Sequence, residues 1–418
     1  MNTGVWEDLY QTLQKPQLDP VVTGFNANID RIIPVTPDLL RSFEQHAVPG
    51  FDALFDRLKH SMRYCSADEV FMSEHSVYHE LTDSFSRSGT LAIGGQAGIA
   101  AVHLCRLGIP SVTCAVPGAG PKTCGMLQDA GVIPRNFESG SGERSDTTHL
   151  IFEYPPNLVP VAEQVVPRSN RFIVSPVHDP STILIPEDLK DPFLKQIASC
   201  RRAFLSGYQY LRKEQEFIMA ARQIRMIRSV NPRMRTHVEC VSVTEQPVLA
   251  MMLTHIIPNV DSIGLNEREL GLLIHALRGT EPVSSGSPPL SPVAHVREAI
   301  TLADATGVHR IHLHTFGYYI LILRPGTEPQ PELARNALLF AAQVTANAAK
   351  GDKQILSPDG LLAYAAAREA IGPDQTMGIF EVGDRVVILI PTYISQNINK
   401  TTGLGDILSS TAFVADPF

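Results

Sequence analysis

The sequence predicts an α/β protein whose central sheet is mostly parallel and carries a smaller β-rich lid. Three observations carry this. Short β-rich runs recur at residues 20–26, 111–116, 203–206, 236–243, 310–314 and 385–390. Helical segments lie between several of them, which is the rhythm of a parallel sheet covered on both faces. Two stretches, roughly 31–93 and 137–177, break that rhythm with strand signals of their own.

Taken in order, residues 7–15 read as a short amphipathic helix. Residues 20–26 then form a buried strand that ends in a turn. Residues 99–107 make a helix stopped by Gly108, and 213–229 make another. In the two interruptions, Val70-Phe-Met, Thr90-Leu-Ala-Ile, 148–154 and 171–174 are strand candidates. The predicted boundaries are therefore 1–30, 94–136 and 178–418 for the large domain, with 31–93 and 137–177 forming a discontinuous lid. Residues 279–293, rich in Pro, Ser and Gly, read as a surface loop.

The 418 residues suffice for a large core, and 44% hydrophobic with 19% charged residues is an ordinary globular balance. A formal net charge of −8 argues against nucleic-acid binding, which needs an excess of Lys and Arg. Six scattered cysteines without CxxC spacing read as reduced thiols of an intracellular chain. The first residues lack the basic-then-apolar pattern of a signal peptide, and no apolar run is long enough for a membrane span. A cytoplasmic protein, a monomer or small homo-oligomer, is expected.

Thr401-Thr-Gly-Leu-Gly-Asp406 follows a strand and opens an apolar helix. Gly403 and Gly405 let amide groups turn toward a ligand, and a helix N-terminus attracts anions. Asp406 there is placed to take the proton of an attacking hydroxyl during phosphoryl transfer. The same residues also read as a plain N-cap after a glycine turn. Gly94-Gly95-Gln96-Ala97-Gly98 is a second strand-to-helix glycine cluster, either a tight packing turn or a ligand contact through Gln96. Asn28 and Asp30 close the first strand and lie two apart, so in extended chain they face one way. Both can bind hydroxyls, and an Asx turn is the alternative. Glu239 in His-Val-Glu and Glu269 in Asn266-Glu-Arg-Glu sit near strand ends, as Mg²⁺ ligands do. Glu269 reads equally as a first-turn acid favoured by the helix dipole. His312-Leu-His314 has a zinc-like spacing but no third ligand at a matching distance, so a buried, hydrogen-bonded histidine pair is the reading.

Eight segments in order, GFNANID (24–30), GGQAG (94–98), HLIFEY (149–154), NRFI (170–173), HVE (237–239), IGLNERE (263–269), HLHT (312–315) and TGLGD (402–406), span most of the chain. Together they resemble the ADP-dependent sugar kinases, the glucokinase and phosphofructokinase family. The resemblance implies a ribokinase-like large domain, a lid that closes over the sugar, ADP as donor and AMP as product. It implies that Asp406 is the base, that Gly403 and Gly405 help form the anion hole, and that Arg171 holds the transferring phosphate. Asn28, Asp30, Gly95, Gln96 and His149 would contact the hexose, and Glu239 and Glu269 would organise Mg²⁺ through water. Asn266, His314, Thr315, Ile394 and Gly405 fall in the nucleotide site. In the lid, Glu69, with Asp68 or Glu74 as the alternatives, is expected to bind glucose, whereas Arg144 and Arg168 would suit fructose 6-phosphate. The Pro117-Gly-Ala-Gly-Pro pattern departs from the family. An ATP-dependent ribokinase relative and a sugar or nucleotide sensor without catalysis remain alternatives.

Overall fold

The computed structural model describes residues 3–45, 51–65, 68–136, 146–158, 166, 169–281, 290–324, 326, 330–349, 351, 353–396 and 403–417. A ten-stranded sheet runs from edge to edge in the order Ile379–Val382, Arg385–Pro391, Tyr318–Leu323, Arg310–His314, Ser262–Asn266, Arg235–Glu239, Arg202–Leu205, Val21–Gly24, Val112–Ala115 and Ile133–Arg135. The last seven of these are mutually parallel, and the first three add an antiparallel edge. Strands such as Tyr318–Leu323 are buried along their whole length, as expected with helices on both faces. The chain leaves Val21–Gly24 first toward Val112–Ala115 and later returns to Arg202–Leu205 on its other side. A reversal of this kind opens a crevice at the carboxyl ends of the strands, where open α/β sheets bind ligands.

The second sheet has the order Asp68–Met72, Asn170–Pro176, Thr148–Tyr154, Asn28–Pro34 and Thr90–Gly94. Its strands alternate. Leu150, Phe152, Tyr154, Phe172 and Val174 point to a core filled from Pro37–Gln45, Phe51–Tyr64 and His75–Ser84 by Leu40, Phe43, Leu58, Met62 and Leu81. The intervening residues supply the other face, where Asp30 pairs across strands with His149, and Glu153 with Arg171. A face that carries polar groups, with Asp30 and His149 themselves buried, opposite a packed apolar one is the anatomy of a lid.

Several elements differ from the sequence expectation. The first helix is Thr3–Gln11, not 7–15. Trp6 and Tyr10 are its buried anchors, the Tyr10 hydroxyl donating to the Pro391 carbonyl at 2.9 Å, and Pro16 disfavours helix at Lys15. Asn28 and Asp30 do not close the first strand. They begin a strand of the second sheet, because they pair with Gly94 and Ala92. The helix expected at 99–107 starts earlier, at Gln96. Residues 282–289 of the expected surface loop lie outside the described residues. No helix among the described residues is long and apolar enough to cross a membrane.

Candidate active site

The helix Leu404–Ala415 begins where its glycines permit. Gly403 is the N-cap at φ +77°, and a Cβ there would also come within 3.0 Å of Ile99. Asp406 stands in the first turn, half-buried. Burial, followed by the negative charges of Glu239 and Asp30, pushes its carboxyl up to about 7, against the lowering effect of Arg171 and His314. A carboxylate that titrates near neutrality suits a general base.

Behind it lies a buried cluster on the parallel strands. Glu239 receives His237 Nε2 at 3.2 Å and His314 Nε2 at 3.2 Å, and it also accepts the Ser409 hydroxyl. Burial alone would raise the Glu239 carboxyl, but the hydrogen bonds from both histidines outweigh it and hold it at about 2. His314 moves the other way: burial lowers it, and the hydrogen bond and charge of Glu239 more than compensate, so its ring holds a proton more tightly than a free imidazole. Gly264 makes the cluster possible, because a Cβ there would lie 2.1 Å from Glu239 Oε2 and 2.3 Å from Ser409 Oγ. His237 Nδ1 meets Ser262 Oγ at 2.8 Å, which in turn accepts Arg310 Nη1 at 3.0 Å. Arg310 Nε donates to Asp416 Oδ2 at 2.8 Å. A continuous polar chain thus crosses the sheet from Asp416 to Glu239.

Glu269 accepts the Asn266 backbone amide at 2.8 Å and its side-chain amide at 3.0 Å, while Asn266 Oδ1 accepts from the amides of residues 268 and 269. This is a reciprocal capping box, so the first-turn reading of Glu269 holds whatever else the residue does. The carboxyl is raised to about 7, chiefly by burial.

The lid supplies the facing wall. Asn28 Nδ2 donates to Asp30 Oδ1 at 2.7 Å. Gly94 must lack a side chain, since a Cβ would fall 1.9 Å from that same oxygen; Gly95, at φ +72°, is crowded by Asn26 and Asn28. Burial raises Asp30 to about 7 even with Asn28 bonded to it. Glu69 opens on the cleft and takes the Ser175 hydroxyl at 2.6 Å. His149 Nε2 meets His178 Nε2 at 3.0 Å, and His178 stacks on Tyr210 with centroids 3.9 Å apart. Burial first, and then the neighbouring His178, lowers His149, so this pair is neutral. Gln96 Nε2 donates to the Cys240 carbonyl at 3.2 Å. Three buried polar atoms here have no partner among the described residues: Asn28 Oδ1, Gln96 Oε1 and Arg171 Nε. Orphaned polar atoms converging on one cleft are what a polar ligand satisfies.

A sequence profile described as the ADP-specific phosphofructokinase/glucokinase conserved region matches residues 19–415. The chain belongs to that family. It is 28% identical to the ADP-dependent glucose/glucosamine kinase of Pyrococcus furiosus, over 98% of each chain. It is 26% identical to the ADP-specific phosphofructokinase of Methanosarcina acetivorans, over 96% of this chain and 93% of that one. The fold is also that of a solved ADP-dependent kinase in complex with fructose 6-phosphate and ADPβS, with a TM-score of 0.81 at 24% identity, covering 99% and 96% of the two chains. As a member, the chain is a sugar kinase of the ADP-dependent, ribokinase-like kind, which sets aside the ATP-dependent alternative.

Within the kinase, Asp406, Arg171, Asp30, Glu69, Glu239 and His314 share one electrostatic neighbourhood. Thr315 is used in a turn, its hydroxyl donating to the Tyr318 carbonyl at 2.7 Å. Ile394 lies on Tyr393–Gln396, paired with Lys353–Leu356 in a separate two-stranded ribbon. Arg144 and Arg168 lie outside the described residues. His312 is fully buried with neither ring nitrogen hydrogen-bonded, and among the described residues no group of three or more His, Cys, Asp or Glu is placed to hold a metal. The zinc reading therefore has no support. Sequence reasoning missed His178, Tyr210, Ser409 and Gly264. Only Gly264 carried a signal, as the glycine inside an otherwise apolar strand.

Proposed function

We propose that the kinase transfers the terminal phosphoryl group of ADP to a hexose hydroxyl, with Asp406 as base, and that it accepts both glucose and fructose 6-phosphate. The observation carrying this reading is that Asp406 feels the charges of both Arg171 and Asp30, so helix start and lid face address one space. The sugar hydroxyl gives its proton to Asp406 as its oxygen bonds to the phosphorus. Amides at the start of Leu404–Ala415 and the planar Arg171 fork bear the charge of the phosphoryl oxygens. Asn28, Asp30, Gln96 and neutral His149 orient the sugar. AMP leaves. These intact groups favour catalysis over a silent sensor, and six free thiols fit a reduced compartment.

Mg²⁺ fits here in one specific way. The oxygens of Glu239 and Glu269 already accept protein hydrogen bonds, so these acids suit metal-bound water, with the remaining ligands coming from phosphate and solvent. When bound, Mg²⁺ would neutralise charge on the phosphates. Glu239→Gln and Glu269→Gln are each expected to raise half-saturating Mg²⁺ by roughly 10-fold, the scale of outer-shell losses, with circular dichroism unchanged. Superimposable Mg²⁺ titrations in both variants would mark the acids as purely structural.

The sugar specificity is tested by crossing ADP and ATP with glucose and fructose 6-phosphate. Glu69→Ala is expected to depress kcat/KM for glucose by about 10-fold or more, the cost of a charged hydrogen bond, and to spare fructose 6-phosphate. Arg168→Ala is expected to do the reverse. Parallel losses, or none, would end the dual-specificity reading.

A further inference from the structure

The amino-terminal ends of the parallel strands hold a second feature. A cavity of about 820 Å³ opens where Arg202–Leu205 and Arg235–Glu239 begin, beneath Val414, Ala415 and Asp416 at the end of the catalytic helix. Its size is that of a small-molecule site. The Asp406 cleft lies at the other ends of these strands, so no ligand there reaches this cavity.

Its lining is strongly basic. Lys15, Arg201, Arg202, Arg233 and Arg235 face only two carboxylates, Asp19 and Asp416, leaving an excess of three positive charges in a chain whose net charge is −8. Asp416 is already committed to Arg310, and Asp19 reaches Arg201 only at 3.5 Å. Among the described residues, no carboxylate pairs with Lys15, Arg233 or Arg235. Arg202 is buried at 8% exposure and spends donors on the carbonyls of Arg201 and Asp416. Burial weakens its hold on the proton, against the attraction of Asp416 and Asp19, and Arg235 and Arg310 add repulsion. Like charges gathered in a partly enclosed space raise the local potential and draw in counter-ions. Guanidinium forks match phosphate oxygens in pairs.

We infer that this cavity is a binding site for a compact anion bearing two phosphate groups, separate from the catalytic cleft. Two phosphates fit better than one, because the cations come from three segments around an opening too large for a single phosphate.

The test is calorimetric titration of inorganic pyrophosphate, with orthophosphate in parallel, at fixed ionic strength. The wild-type chain is compared with Arg233→Ala/Arg235→Ala and with Arg171→Ala. Wild type is expected to bind pyrophosphate saturably and at least 10-fold more tightly than orthophosphate. The double variant should weaken pyrophosphate by about 10-fold or more while its kinase turnover stays within about twofold of wild type, and Arg171→Ala should retain this binding. If the double variant does not fold, Arg233→Gln, on an exposed side chain, must weaken binding in the same direction. Absence of saturable binding in wild type, equal affinity in the cavity variants, or loss in Arg171→Ala alone would overturn the assignment.

Discussion

Asp406→Asn is expected to lower kcat by roughly 10²–10⁴-fold, the usual consequence of removing a general base, while sugar and nucleotide affinities change little. The pH dependence sharpens the test. The carboxyl of Asp406 is raised to about 7, and the base works only when deprotonated, so wild-type kcat/KM should climb as pH rises through about 7. Asp30 titrates in the same window and bonds the sugar site, so part of that limb belongs to binding. The part belonging to kcat should vanish in Asp406→Asn. Turnover within about threefold of wild type would remove Asp406 from the role.

The second large effect is on stability. Arg310 and Asp416 are buried at 1% and 0% side-chain exposure, and Arg310 also bonds Ser262 and the Ala412 carbonyl. Asp416→Ala leaves a guanidinium in the interior without the carboxylate it faces, which costs about 3–5 kcal/mol. Replacing both partners, as Arg310→Met with Asp416→Leu, should restore most of the loss, because neither charge then remains to be desolvated. Urea unfolding of wild type and the two variants decides it. A single variant as stable as wild type would mean that the pair is not coupled.

What the sequence made legible was local. The start of Leu404–Ala415 could be read because glycines, an acid and an apolar run lie within fourteen residues. Thr148–Tyr154 could be read from its β-rich composition. Glu269 as a first-turn acid was legible for the same reason. Pairings between distant segments were not. Asn28 and Asp30 looked like the tail of the first strand because nothing nearby announces that Gly94 and His149 will claim them. The His149–His178–Tyr210 stack joins three segments, each unremarkable alone. The Glu239 cluster depends on Ser409, 170 residues away.

The placement of Val21–Gly24 between Val112–Ala115 and Arg202–Leu205 has a consequence for biosynthesis. A ribosome adding residues one by one releases this interior strand before either neighbour exists, so both of its pairings wait on later segments. Asn28–Pro34 likewise gains Thr90–Gly94 early but lacks Thr148–Tyr154 until later. Leu404–Ala415, which packs on both Gln96–Leu107 and Pro331–Ala348, follows all of these strands in the chain. Asp406 arrives with it. Under the role proposed for Asp406, a nascent chain can therefore pair the strands that carry Asp30, Glu239 and Glu269 before it holds its proton acceptor.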